Sequence, residues 1–188
     1  MSGFTIVELL IVIVVIAILA TIGIVAYSGA QQRARTSVQL AAAKSYLDGI
    51  NAYIAANGKH PDFSIGRICI MMTQSECVNN TSWNRDGTFE NSLKTIMSTL
   101  PTPSSALPIS STPKIGYVPI SSTPSSNVTL DGVDTAFLIY AIEAPATCTV
   151  GTPVSGTWPN YSSTPPSQGY TSASSTVRAC FIPIPPAS

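Results

Sequence analysis

Charged side chains are scarce in this chain of 188 residues, since 10% of them are Asp, Glu, Lys or Arg and the net charge is zero. A protein that binds nucleic acid through its phosphates needs an excess of Lys and Arg, which this composition lacks. His60 is the one histidine, and the four cysteines form no C-x-x-C pair, so a zinc site is not expected. We therefore expect no nucleic acid, no metal and no cofactor.

Motifs that carry catalysis are missing as well. The chain has no G-x-S-x-G and no glycine-rich phosphate loop. We expect His60 to be a solvated loop residue, because Pro61 follows it beyond a predicted helix end. Asp131 and Asp134 could hold calcium, but Asp131-Gly132-Val133-Asp134 is also a hairpin-turn signal, which we favour. An enzyme is therefore not expected.

The chain does contain one long apolar run near its start. From Leu9 to Ala26, eighteen residues, nothing is charged, and only Thr21 and Gly23 interrupt the hydrophobic character. As a helix rising 1.5 Å per residue, this run spans about 27 Å, close to the hydrocarbon thickness of a bilayer. An ordinary strand is much shorter. We predict that residues 4–27 span a membrane.

Glu8 is the one carboxylate beside this run. A charge at the centre of a membrane helix costs roughly 2.5–3.5 kcal/mol, and less near an interface, so such a residue usually has a partner. No Lys, Arg or His lies within two helical turns, so we predict that the partner is not on the same helix. A chain newly beginning at Phe4 would supply an amine about 6 Å away along the axis, and so would a neighbouring chain. The alternative is an interfacial Glu that reaches toward lipid head groups.

The stretch from Gly3 to Val12, G-F-T-I-V-E-L-L-I-V, resembles the class III signal of type IV pilins and pseudopilins. In that family a membrane aspartyl protease, prepilin peptidase, cuts after the Gly and methylates the new N-terminal Phe. The resemblance implies that Gly3 is the cleavage residue and Phe4 the methylated N-terminus. It also implies that Glu8 neutralises the terminal amine and helps each subunit to dock into a filament.

The resemblance implies a structural subunit, made as a single-pass precursor in the cytoplasmic membrane and polymerised into an extracellular homo-oligomeric filament for motility, adhesion or DNA uptake. Its implied partners are prepilin peptidase, a platform protein and an assembly ATPase. The alternatives are a minor pseudopilin of a secretion or competence system and a membrane-anchored binding module that never polymerises. Two features depart from the family: no Lys or Arg precedes Gly3, and Val25 stands where many pilins have a proline.

A cleaved secretory signal is a further interpretation of the N-terminus. Ser28-Gly29-Ala30 offers small residues to a signal peptidase. The apolar run, however, exceeds the 7–15 residues of such a signal, and no basic segment precedes it. We therefore favour the membrane anchor.

Beyond the membrane segment we predict an α+β fold with a leader at residues 1–3, a spine helix at 4–57 and a head domain at 58–188. Gly58 is the expected helix stop, with Pro61 beyond it. The predicted core face of the helix comprises Leu40, Ala43, Leu47, Ile50 and Ile54, flanked by Tyr46 and Tyr53. The residues predicted to lie on its polar faces are Arg33, Arg35, Gln39, Lys44 and Asp48.

In the head, an antiparallel sheet of three or four strands is expected to pack on the core face. We predict a three-turn helix from Phe89 to Leu100 and strands at 136–142, around Cys148 and at 176–182, with Pro183, Pro185 and Pro186 ending any pairing. Residues 151–170 are predicted to be a loop. Because proline removes a ladder hydrogen bond, the Pro/Ser/Thr-rich stretch 101–127 is expected to contain extended surface loops or edge segments around Ile115–Pro119.

The four cysteines, Cys69, Cys77, Cys148 and Cys180, all follow the membrane segment. An even number beyond a membrane helix predicts two disulfides in an oxidising exterior, and three pairings are possible. We favour Cys69–Cys77, which closes a short loop, and Cys148–Cys180, which would tie the C-terminal segment to the sheet as in many pilins. Four free thiols are the alternative.

Overall fold

The computed structural model describes residues 5–70, 83–103, 114–120, 128–144, 146–151, 155–157, 160–162 and 177–186. It has the predicted α+β fold, with a long N-terminal helix and a small antiparallel sheet of four strands. The chain divides into two compact units, residues 1–34 and residues 35–188.

Helix α1 runs from Ile6 to Asn57. It ends where the sequence predicts, because Gly58 adopts a positive φ of 65° and its N–H donates to the carbonyl of Ile54 at 2.8 Å. Glycine takes this left-handed conformation without the steric cost that a Cβ would add. Phe4, the predicted first residue of the helix, lies outside the described residues.

The second unit uses one face of α1 as part of its core. The buried apolar residues of this face are Ala42, Ala43, Tyr46, Ile50, Tyr53 and Ile54, with Leu40 and Leu47 partly buried beside them. The predicted stripe is therefore confirmed, except that the two tyrosines belong to the core rather than flank it. Helical spacings of three and four bring all of these side chains to one side.

The prediction that Gln39 lies on a polar face of α1 is wrong. It is fully buried rather than solvated, and its side-chain amide donates to the backbone carbonyl of Lys114. Four residues earlier, Arg35 pairs with Glu143 at 3.2 Å, and the side chain of Glu143 is only 10% exposed. Polar residues on this turn of α1 thus serve as hydrogen-bonding contacts to the sheet, which a count of apolar spacing does not reveal.

Helix α2 spans Gly87–Lys94 and is shorter than the predicted helix, which extended to Leu100. After Lys94 the N–H groups of Thr95 and Ile96 donate to carbonyls three residues back, at 3.2 and 3.0 Å, so the helix tightens into a turn. The Thr95 hydroxyl donates to the Ser92 carbonyl at 2.7 Å and favours this tightening. Phe89 and Leu93 are fully buried as predicted, whereas Ile96 is 40% exposed.

The strands of the head form two sheets. Their bounds are β1 Ile68–Cys69, β2 Ile115–Val118, β3 Thr129–Leu130, β4 Val133–Asp134, β5 Ala136–Glu143, β6 Ser155–Thr157, β7 Asn160–Ser162 and β8 Val177–Ile184. The main sheet is antiparallel in the order β1-β2-β5-β8. The longest pairing joins β5 to β8, from Ala136 opposite Ile184 to Glu143 opposite Val177.

Strand β2 overturns the expectation of loops or edge segments around Ile115–Pro119. It lies between β1 and β5, and all four of its residues are buried. The prolines of this region stand outside the four-residue strand, so every residue of the strand keeps its N–H. Tyr117 in this strand stacks on Phe89 of α2 with ring centroids 4.8 Å apart.

The prediction that Pro183 ends strand pairing is also wrong. Pro183 lies within β8, opposite Phe137. Strand β8 is at the edge of the main sheet, the position in which a strand tolerates the missing N–H of proline. The strand predicted around Cys148 is absent from residues 146–151, which follow an irregular path. That path approaches β8 so closely that a Cβ on Gly151 would lie 2.4 Å from Ile182.

The smaller sheet has the order β4-β3-β7-β6. Asp131 and Gly132 join β3 to β4 with φ values of 51° and 80°, both positive as a two-residue hairpin turn requires. The hairpin of β6 and β7 corrects the prediction that 151–170 is loop. Strand β7 runs parallel to β3, a pairing across thirty residues that no local pattern announces.

Both faces of the main sheet are buried. Ile115, Tyr117, Leu138 and Tyr140 belong to the same cluster as the α1 face. Residues of the opposite face pack with Trp83 and Val128, which lie outside the main sheet, in a second cluster; its strand residues are Cys69, Val118, Phe137, Ile139, Ala179 and Phe181. The strands therefore read as continuous apolar runs in the sequence, since alternate residues enter two different cores.

Candidate functional site

The first turn of α1 holds the carboxylate of Glu8. Thr5 stands one residue before the helix, and its N–H and hydroxyl donate to Oε2 of Glu8 at 2.9 and 2.8 Å. In return, the N–H of Glu8 donates to the Thr5 hydroxyl at 3.3 Å. This reciprocal arrangement is a capping box, with Thr5 at the N-cap and Glu8 three residues later, and it satisfies N–H groups that the helix itself leaves unpaired.

The capping box gives Glu8 neutral hydrogen-bond partners, whereas the sequence led us to expect a cationic partner; the amine of a chain beginning at Phe4 lies outside the described residues. The signal was present in the sequence as Thr5-Ile6-Val7-Glu8, the T-x-x-E pattern that precedes an apolar run. The donors in this pattern are the neutral N–H and hydroxyl groups of Thr5 rather than a cation. Among the described residues no cation pairs with Glu8, and Oε1 of its carboxylate has no hydrogen-bond partner there.

The helix beyond Glu8 exposes its apolar side chains on every side. Large hydrophobic residues from Ile6 to Ile24 are between 48% and 82% exposed. Thr21 is the one hydroxyl residue in this run, and it donates to the carbonyl of Ile18 at 2.7 Å, so its polar group is satisfied within the helix. In the part of the chain that the structure describes, α1 is long and apolar enough to cross a membrane.

The predicted processing residues Gly3 and Phe4 lie outside the described residues, as does Cys77, the predicted partner of Cys69. The second predicted disulfide is present: Cys148 bonds to Cys180, with their Cα atoms 5.7 Å apart. It joins the irregular segment 146–151 to strand β8, as expected. Tyr140 supports the same segment, because its hydroxyl accepts from the N–H of Val150 at 3.2 Å.

His60 is not the solvated residue that the sequence led us to expect. Its Nδ1 lies 2.9 Å from the hydroxyl of Tyr117, and Nε2 is buried with no hydrogen-bond partner among the described residues. Burial lowers the pKa of His60. His60 is therefore a half-buried residue that contacts Tyr117 of strand β2.

Asp86 is a buried carboxylate that the sequence argument missed. It caps α2 by accepting from the N–H groups of Thr88 and Phe89, and it also accepts from Ser64 and Ile65, at 2.6 and 3.2 Å. Burial acts to raise the pKa of Asp86, but backbone hydrogen bonds from Ser64, Phe89 and Thr88 outweigh it and hold the pKa below its usual value. This residue joins two loop segments and is structural.

Metal ligands are not assembled anywhere in the described ranges, where no group of three or more His, Cys, Asp or Glu side chains is close enough to hold an ion. Asp131 and Asp134 lie in the short hairpin of β3 and β4. Among the described residues, the candidate functional site is the capped carboxylate at the start of the exposed apolar helix.

No family model, no curated protein and no solved structure matches this chain.

Proposed function

We propose that this protein is a type IV pilin-like subunit, held in the membrane by the first half of α1 and then polymerised into an extracellular filament. The observation that carries the proposal is a carboxylate fixed at the start of a helix whose apolar side chains are exposed on all sides. Its work is structural rather than enzymatic, and its partners are copies of itself, prepilin peptidase, a platform protein and an assembly ATPase.

The exposed apolar surface requires an environment other than water. A helix that is hydrophobic all round belongs in a bilayer or in the interior of an assembly. A pilin-like subunit occupies both in succession, first as a membrane precursor and then with its helix packed against identical helices. A permanent anchor would use the first environment alone and would give Glu8 no role beyond capping.

The geometry of Glu8 suits a second interaction during assembly. Both donors from Thr5 contact Oε2, which leaves Oε1 available to a further donor. Cleavage after Gly3 would create an ammonium group on Phe4, roughly 6 Å from Glu8 along the axis, and a neighbouring chain would carry the same group. Pairing between this ammonium and Glu8 offsets part of the cost of burying the carboxylate. The pairing would thereby favour one axial register between neighbours.

Intact-mass analysis tests the processing step. Protein from sheared surface filaments is expected to begin at N-methyl-Phe4. Gly3→Leu should leave the full-length precursor in the membrane, whereas the control Ala30→Leu, at the position that a signal peptidase would use, should change nothing but the residue mass. A mature chain that starts at Gln31, or one that retains Met1 in filaments, would contradict the proposal.

A further inference from the structure

The head contains a cavity whose lining residues all lie outside the apolar run from Leu9 to Ala26. Its volume is about 250 Å³, and it lies between α2, the segment after α2 and the side chain of Tyr46 on α1. At about 30 Å³ per water molecule in the liquid, this volume corresponds to roughly eight waters. It would accommodate a small organic molecule rather than a peptide.

One wall of the cavity is apolar. Ile70, Leu100, Pro101 and Pro103 contribute to it, together with the ring of Tyr46. The hydroxyl of Tyr46 donates to the carbonyl of Pro101 at 2.9 Å, so the polar end of this side chain is already satisfied. An apolar wall with a few placed polar groups is the usual composition of a small-molecule site.

The lining also includes the charged side chains of Arg85, Glu90 and Lys94. Arg85 contacts Glu90 through Nη2, 2.6 Å from each carboxylate oxygen, and through Nε at 2.8 Å. The side chain of Glu90 is only 13% exposed, and Arg85 neutralises its negative charge. Lys94 lies four residues further along α2, is exposed, and forms no ion pair among the described residues. The charge left for a ligand is its ammonium group.

We propose that this cavity binds a small organic monoanion, a carboxylate with an aromatic or short aliphatic body. The body lies against Leu100 and the two prolines, and the carboxylate pairs with Lys94. Benzoate has these properties and nine non-hydrogen atoms, for which an affinity in the millimolar range is expected. The competing explanation is that Lys94 only complements the C-terminal end of α2.

The test compares benzoate with benzamide, its neutral counterpart of the same shape. Both are titrated into the full-length, ¹⁵N-labelled chain in detergent micelles while the backbone amides of Leu100 and Thr102 are followed by NMR. Benzoate is expected to shift these amides and to bind more tightly than benzamide. Lys94→Gln should weaken benzoate by about two- to fivefold, the range of an exposed ion pair, and leave benzamide unchanged. Lys44→Gln on α1, whose ammonium already pairs with Asp48, is the control.

A second variant tests the cavity itself. Ser98 is exposed and lines the cavity, so Ser98→Trp should fill it without disturbing the core and should abolish the shifts. Ser37→Trp, at an exposed position of α1 away from the cavity, should bind benzoate normally. The proposal is overturned if benzoate and benzamide bind equally, if Ser98→Trp still binds, or if Lys94→Gln lowers stability without weakening benzoate.

Discussion

The two parts of helix α1 differ in what surrounds them. From Ile6 to Ala34 the large apolar side chains that the structure describes are about half exposed or more, and from Arg35 to Asn57 one face is buried in the head. Ile16, for instance, is 58% exposed, whereas Ile50 is fully buried. An isoleucine in the second part therefore stabilises the folded head. An isoleucine in the first part stays exposed, and its apolar surface is available to another environment.

This difference follows from the distribution of polar residues. The second part carries apolar residues at helical spacing with polar residues between them, so one face matches the sheet. The first part is apolar on all sides from Leu9 to Ala26, so no single face of that run can be selected for a core. A helix gains stability in water mainly by packing an amphipathic face, which only the second part possesses.

Ile50→Ala is expected to give the largest change in stability. Removing a fully buried isoleucine should lower the free energy of unfolding of the head by about 2–5 kcal/mol, through lost burial and the cavity left behind. Ile16→Ala is the matched control and should leave this value unchanged. Denaturant unfolding of the full-length chain in micelles, followed by tryptophan fluorescence, provides the comparison. Equal losses from the two variants would refute the distinction between the two parts.

Removal of the Cys148–Cys180 disulfide is expected to give the second largest loss of stability. The two cysteines are 32 residues apart, and opening a loop of that length is expected to cost roughly 3–4 kcal/mol. A Cys148→Ala, Cys180→Ala double variant, unfolded under the same conditions, measures this loss. The effect should be confined to the head, so membrane insertion of the first part should be normal. An unchanged unfolding midpoint would mean that the bond does not constrain the head.

Gln39→Ala should have a smaller effect on the same measurement. The variant removes the donor to the carbonyl of Lys114 inside a fully buried site, at a cost of about 1–3 kcal/mol. Gln31→Ala, at an exposed position in the first part of α1, should lie within about 0.5 kcal/mol of the parent. If Gln39→Ala and Gln31→Ala change the free energy of unfolding equally, the contribution of a glutamine to stability does not depend on which part of α1 carries it.

The smallest expected effect is a pH dependence of the free energy of unfolding, which His60 causes. Because burial lowers its pKa in the folded head, the neutral ring is favoured there, and its contribution is fully present above the unfolded value of about 6.5. It is lost as the pH falls through the lowered folded pKa, when the ring acquires a charge beside Tyr117. The free energy of unfolding should therefore fall more between pH 7 and pH 5 for the parent than for His60→Gln. Equal slopes would show that His60 does not titrate in this way.

Local patterns predicted much of this structure. The apolar run, the Gly58 stop, the Asp131-Gly132 turn and strand β5 each follow from spacing or turn chemistry within a few residues. The α1 core face was also predictable, since its residues recur at three and four. The T-x-x-E capping box was equally local, and it was missed because Glu8 was considered only as a charge.

Non-local partners account for most of what was wrong. Gln39 is buried because Lys114 supplies a carbonyl 75 residues away, and β2 is interior because β1 and β5 flank it. Pro183 is tolerated because of its place at an edge of the sheet. None of these partners can be recognised from the neighbouring sequence. The cavity that Lys94 lines likewise depends on how α2 and the segment after it pack around Tyr46 of α1. No sequence motif specifies that packing.

The central claim is that the charge of Glu8 serves assembly in addition to its capping role. Glu8→Gln separates the two, because glutamine also completes a capping box but carries no charge. Glu8→Ala removes both, and insertion into the membrane should remain normal for each variant since hydrophobicity rises. The measurement is the ratio of subunit in sheared filaments to subunit in the membrane pool. We predict that both variants lower this ratio while cleavage after Gly3 continues. Polymerisation of both variants at the parent level would contradict the account and leave Glu8 as a helix cap alone.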